Sequence, residues 1–149
     1  MKIDELLNRD SIFLDLEAGD KYEVIDFLCG KMSCDSGVHD AEMLRADILQ
    51  RESEMPTGLE KGTAIPHART DGVSCIVMAF ARLKKGIDFG AADGEPVRLV
   101  FQLGIPKDQV SGYLKILAKL SRLLKKTDLI DRLLQADNAD DVIEAFRGQ

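Results

Sequence analysis

Arg51-Glu52-Ser53-Glu54-Met55-Pro56-Thr57-Gly58-Leu59-Glu60-Lys61-Gly62-Thr63-Ala64-Ile65-Pro66-His67 decides how the rest of this chain is read. An arginine stands where a helix runs out. A loop punctuated by Pro56, Gly58 and Gly62 follows, then a short apolar run, Ala64-Ile65, closed by Pro66-His67. Glycine reaches backbone conformations closed to other residues, and proline fixes φ while removing an amide donor. The pattern predicts a short strand over 63–66 with His67 at its tip, held by stiff backbone and facing a loop. Such a position suits a nucleophile or a proton carrier.

Upstream, the pattern is helical. Asp20 is a candidate cap for a helix over 21–33, whose apolar stripe is Tyr22, Val24, Ile25, Leu28, Cys29 and Met32. Cys34-Asp35-Ser36-Gly37 breaks it. Asp40 then caps a second helix, with Ala41, Leu44, Ile48 and Leu49 inward and Arg51 at its C-terminal end, where a cation suits the helix dipole. Before these, residues 3–7 predict a helical turn and 11–14 a short edge strand.

Downstream, Val73 to Leu83 is the longest apolar run. A strand apolar on both sides is a central strand covered on both faces, and this places Cys75 in the core. Lys84-Lys85-Gly86 reads as a turn, as does 92–96, and Val97 to Leu103 reads as a second strand ended by Gly104-Ile105-Pro106. Ser111 is a candidate cap for a long helix to about residue 125, with Leu114, Leu117, Ala118, Leu120 and Leu124 inward. Two short helices close the chain, one over 128–135 and one capped by Asn138. Helices on both sides of a sheet make an α/β sandwich, and the hairpin-like connection near 84–97 makes the sheet mixed.

The chain has 149 residues and is 45% hydrophobic, which fits one domain, 1–149, with a real core. A formal charge of -6, no tryptophan and only two tyrosines argue against a nucleic-acid binder, which needs a basic footprint and stacking platforms. No stretch is long or apolar enough for membrane insertion, and the N-terminus lacks the basic-then-apolar pattern of a secretory signal. Three cysteines, Cys29, Cys34 and Cys75, then predict reduced thiols in the cytoplasm. The spacing of Cys29 and Cys34 does not suit a zinc knuckle, so no metal is expected.

Three blocks now carry a resemblance. The first is Arg51-Glu52, Thr57-Gly58 and Ala64-Ile65-Pro66-His67. The second runs from Gly86-Ile87-Asp88-Phe89 through Asp93-Gly94-Glu95-Pro96 to Val100-Phe101-Gln102-Leu103. The third is Tyr113 to Leu124. Their order and spacing resemble the enzyme IIA domain of the fructose/mannitol class of the bacterial phosphotransferase system, closest in look to the stand-alone nitrogen-regulatory type. The resemblance implies a mixed sheet flanked by helices and a phosphohistidine chemistry with no cofactor. His67 would take a phosphoryl group on Nε2 from phosphorylated HPr, an HPr-like phosphocarrier protein. It would pass the group to a IIB cysteine, or signal its state to a regulated enzyme, channel or kinase.

Three positions depart from the family pattern. Glu60 and Thr63 stand where small and aliphatic residues are usual, and Tyr113 stands where a second histidine is common. A phenol can donate a hydrogen bond but carries no positive charge at neutral pH. The expected site is therefore His67 as acceptor, Arg51 as a bidentate phosphate clamp and Tyr113 beside them, with Thr57 and Gly58 shaping a phosphate loop. The plainer reading of each residue is structural: Arg51 as a helix terminator, Tyr113 as a rim aromatic, Thr57 and Gly58 as loop formers. His39 is expected on the surface.

Overall fold

The computed structural model describes residues 2–149. A five-stranded mixed sheet lies at its centre. Strands β1 (Ile12–Leu16), β2 (Thr63–Ala64), β3 (His67–Thr70), β4 (Val77–Ile87) and β5 (Val97–Pro106) are joined by six helices, α1 (Ile3–Leu6), α2 (Lys21–Met32), α3 (Ala41–Glu54), α4 (Val110–Leu123), α5 (Thr127–Gln135) and α6 (Ala139–Phe146). The order runs β1-β4-β5, with β2 and β3 following each other along the far side of β5. β4 and β5 are antiparallel and the other pairs parallel. The mixed α/β sandwich expected from the pattern is the one observed.

Alternation along β4 and β5 splits the core in two. Met78, Phe80, Leu99, Phe101, Leu103 and Ile105 face α4, α5 and α6. Val77, Ala79, Ala81, Leu83 and Val100 face α2 and α3. Small residues on the second face let the helices approach closely: a Cβ on Gly104 would lie 2.7 Å from Leu44 Cδ1. The Asp20, Asp40 and Asn138 caps form as the sequence predicts, each side chain accepting from a first-turn amide.

Several boundaries differ. β4 begins at Val77, not Val73, because 73–75 is tied to the loop after α2 by a Val38–Val73 bridge and the Ser74 amide to Gly37. Cys75 is consequently exposed, not buried in a central strand. β4 also runs through Lys84-Lys85-Gly86 instead of turning there. Gly86 is small for another reason: a Cβ on it would meet Pro96 Cβ at 2.6 Å, so it permits close strand approach. The turn falls later, where Gly90 and Gly94 take positive φ values of 67° and 74°. β5 continues through Gly104-Ile105-Pro106, since β3 pairs with that end.

The predicted strand over 63–66 is two strands, broken at Ile65-Pro66, and His67 opens the second instead of ending the first. α4 starts after Gln109, and Ser111 lies within it. Of the residues expected inward, Leu120 and Leu124 are buried, while Leu114 is 60% exposed and Ile116 and Leu123 are buried in addition. Tyr22, assigned to the α2 stripe, is 45% exposed.

Candidate functional site

β3 is an edge strand, paired only along β5, with His67 opposite Leu103. Pro66 suits this place: it offers no amide, yet its carbonyl accepts from the Leu103 amide at 3.0 Å. Period-two alternation sends Ala68 into the α2/α3 core and His67 to the opposite face, beneath α4. Tyr113 comes down from the first turn of α4 and meets His67 with ring centroids 5.8 Å apart.

The imidazole is held at both nitrogens. Nδ1 lies 2.7 Å from the Ile65 carbonyl oxygen. A carbonyl can only accept, so Nδ1 carries the proton and Nε2 presents its lone pair. The Tyr113 hydroxyl sits 3.4 Å from Nε2, a long contact in which the phenol donates. His67 is 6% exposed. That burial lowers its pKa from the ordinary value. The positive Arg51 adds to the lowering, while the Ile65 carbonyl and the negative Glu52 oppose it. The imidazole is therefore neutral at pH 7, as an attacking nitrogen must be.

Arg51 stands in the last turn of α3, and its charge adds to the lowering of the His67 pKa. Its Nη1 donates to the Met55 carbonyl at 2.9 Å and ties the loop entrance to the last turn of α3. The next residue, Glu52, is 2% exposed and was not singled out by sequence reasoning. Its carboxylate accepts from the Thr57 amide at 3.0 Å, from the Thr57 hydroxyl, and from Lys21 Nζ at 3.1 Å. The Thr57 carbonyl in turn accepts from the Ile65 amide at 3.1 Å. A continuous set of bonds thus runs from Lys21 and Glu52 through Thr57 and Ile65 to the ring of His67. A carboxylate immediately after the phosphate-clamp candidate, five residues before a threonine, was the available signal.

Thr57 therefore shapes the loop. Both its donors are spent on Glu52 and neither points to an approaching phosphate. Gly58 is needed for space: a Cβ there would lie 3.0 Å from backbone atoms of Phe89 and Ala91. Lys61 takes a positive φ of 61°, its amide donates to Asp93, and its Nζ reaches the Lys125 carbonyl at 2.7 Å, fastening the loop to the end of α4. The two unusual residues meet each other, Thr63 Oγ1 donating to the Glu60 carbonyl at 2.8 Å. His39 is on the surface. A cavity of about 550 Å³ beside Asn8, Lys31 and Asp35 contains none of the candidate residues.

Comparison with known proteins bears on the family and the fold. The sequence profile of the family described as "Phosphoenolpyruvate-dependent sugar phosphotransferase system, EIIA 2" matches residues 5–148. The fructose-specific EIIA component of Haloferax volcanii is 40% identical over 123 residues, 82% of this chain and 79% of that protein. The fructose-specific EIIABC component of Bacillus subtilis is 36% identical over 97% of this chain, which spans only 23% of that longer protein. Among solved structures, nitrogen regulatory protein IIA-Ntr from Neisseria meningitidis superposes with a TM-score of 0.90 at 30% identity, covering 97% of this chain and 98% of that one. The mannitol IIA of Escherichia coli, solved in complex with its phosphorylated IIB partner, gives 0.83 at 25% identity, covering 96% and 98%.

Proposed function

This chain belongs to the EIIA type-2 family of the phosphoenolpyruvate-dependent sugar phosphotransferase system, and from that premise we propose that it is a phosphoryl carrier with His67 as the acceptor. The observation that carries the proposal is the state of the imidazole: Nδ1–H fixed on the Ile65 carbonyl, Nε2 left with its lone pair. In the transfer, Nε2 attacks the phosphorus of a phosphohistidine on an HPr-type carrier. The N–P bond of the donor breaks as the new one forms, and the donor nitrogen leaves with the electron pair. The His67 ring gains positive charge, and its proton stays on Nδ1, still donated to the Ile65 carbonyl. The Tyr113 hydroxyl yields its place at Nε2 to the phosphoryl group and can then donate to a phosphoryl oxygen. The Arg51 guanidinium offsets charge on the equatorial oxygens.

The carrier has two possible outlets, and relatives of both kinds resemble the chain. The fructose-specific relatives and the mannitol complex support delivery to a IIB cysteine. The IIA-Ntr structure supports a regulatory readout by a partner protein. No helix of the described residues is long and apolar enough to cross a membrane, and the free thiols fit a cytoplasmic setting.

Incubation with enzyme I, an HPr-type carrier and phosphoenolpyruvate, followed by mass spectrometry, tests the reading. The expected result is a gain of one phosphoryl mass, lost in His67→Ala. No gain with a cognate carrier would leave a module that works by contact alone. Adding a IIB domain then separates the outlets: loss of the label to a IIB cysteine marks sugar transport, and retention marks regulation.

A further inference from the structure

Arg69 lies two residues beyond His67 on the same face of β3. It is exposed, and no carboxylate of the described residues pairs with it. Its guanidinium carbon stands 5.4 Å from the centroid of the Tyr113 ring, within the reach of a cation–π contact. Tyr113 is thus held between two residues of one strand: its hydroxyl at Nε2 of His67 and its ring face under Arg69.

We propose that Arg69 is a positioning residue for phosphoryl transfer, holding Tyr113 by its ring so that the hydroxyl stays on the reacting nitrogen, and bringing the positive charge that a phenol lacks. The proposal rests on the carrier reading of His67. The chemistry divides between two side chains. Tyr113 supplies a directed donor, and Arg69 supplies a planar cation. A planar guanidinium lies flat on an aromatic face where an ammonium does not, so an arginine fixes the ring plane as well as the field. Arg51 and Arg69 then approach from different elements, one from the end of α3 and one from β3.

The test uses the full chain and a phosphorylated HPr-type carrier, measuring kcat and KM for the carrier and the lifetime of the phosphohistidine after the donor is removed. Wild type must first gain one phosphoryl mass; if it does not, the carrier reading fails and this inference falls with it. Given that gain, Arg69→Gln is expected to lower kcat about tenfold and shorten the phosphohistidine lifetime, with KM nearly unchanged, as for an interaction made in the transition state. Arg69→Lys should recover part of the loss, since charge returns without the stacked plane. In a Tyr113→Phe background the Arg69→Gln effect should be clearly smaller than in wild type, because the hydroxyl it positions is gone and only the loss of its charge remains. Three results would each overturn the proposal while leaving His67 as the carrier. They are an unchanged kcat in Arg69→Gln, a rise in KM alone (a docking residue), or the same tenfold loss with and without the Tyr113 hydroxyl. Arg69 is exposed, and matching thermal melts of the variants would confirm that each is folded.

Discussion

Glu52 and Thr57 are joined twice, the buried carboxylate accepting from both the amide and the hydroxyl of the threonine, and these two hydrogen bonds fix the loop that leads into β2 and on to His67. The Thr57 carbonyl hands the constraint to the Ile65 amide, and the Ile65 carbonyl hands it to the imidazole. Lys21 closes the other end, with only 15% of its side chain exposed and 1% for Glu52.

Removing the carboxylate breaks both ends. Glu52→Ala leaves a partly buried ammonium and two buried donors without partners, and should cost about 3 kcal/mol of stability. Thr57→Val removes one donor and keeps the shape, costing about 1–2 kcal/mol. Urea denaturation checks both. In any folded fraction of Glu52→Ala, nitrogen NMR should show His67 distributed between tautomers; a single unchanged tautomer would detach Glu52 from the ring.

Arg51→Ala separates stability from function. Its contact with the Met55 carbonyl is a surface helix-end bond, and its loss should cost under about 1 kcal/mol. Charge-assisted hydrogen bonds to a phosphoryl group are worth about 1.5–3 kcal/mol each, so phosphorylation should slow about 10- to 100-fold. Equal rates in mutant and wild type would remove Arg51 from the mechanism.

The pH dependence follows from the lowered pKa of His67, caused first by burial and then by Arg51. The folded state binds this proton less readily than the unfolded chain. The associated stability is present above the unfolded value, about 6.5, and is lost as pH falls through the folded value. The acid limb of the phosphorylation rate should lie below pH 6.5 for the same reason, since Nε2 stays unprotonated further into acid. An NMR titration midpoint for His67 at or above about 6.5 would contradict this.

The three thiols should differ sharply. Cys29 is buried between α2 and Gln102, and burial pushes its thiol up to about 12. Cys34 and Cys75 are exposed. A disulfide reagent at pH 8 should label two thiols rapidly in the native protein and the third only on unfolding. Rapid labelling of Cys29 would mean that α2 separates from the sheet.

Much of this was legible one residue at a time. Asp20, Asp40 and Asn138 announced their helices because a cap is a local bond, made within three residues. The mixed sheet followed from the apolar runs and the turn glycines. Strand ends were less legible, since Gly86 and Gly104 look like turn residues but are small to admit Pro96 and Leu44 from elsewhere. Cys75 misled for a related reason: an apolar run does not say which of its residues the neighbouring loop will hold away from the sheet.

The chain order by itself determined that an arginine, a glycine-bearing loop and a proline-led histidine belong to one unit, because covalent spacing and backbone restriction are properties of the sequence. Only the folded molecule decided what surrounds the imidazole. The phenol at Nε2 and the Arg69 guanidinium over its ring join β3 to the first turn of α4, 46 residues away in the case of His67 and Tyr113. Contacts of that kind are set by how α4 settles on the sheet, and no local propensity encodes them.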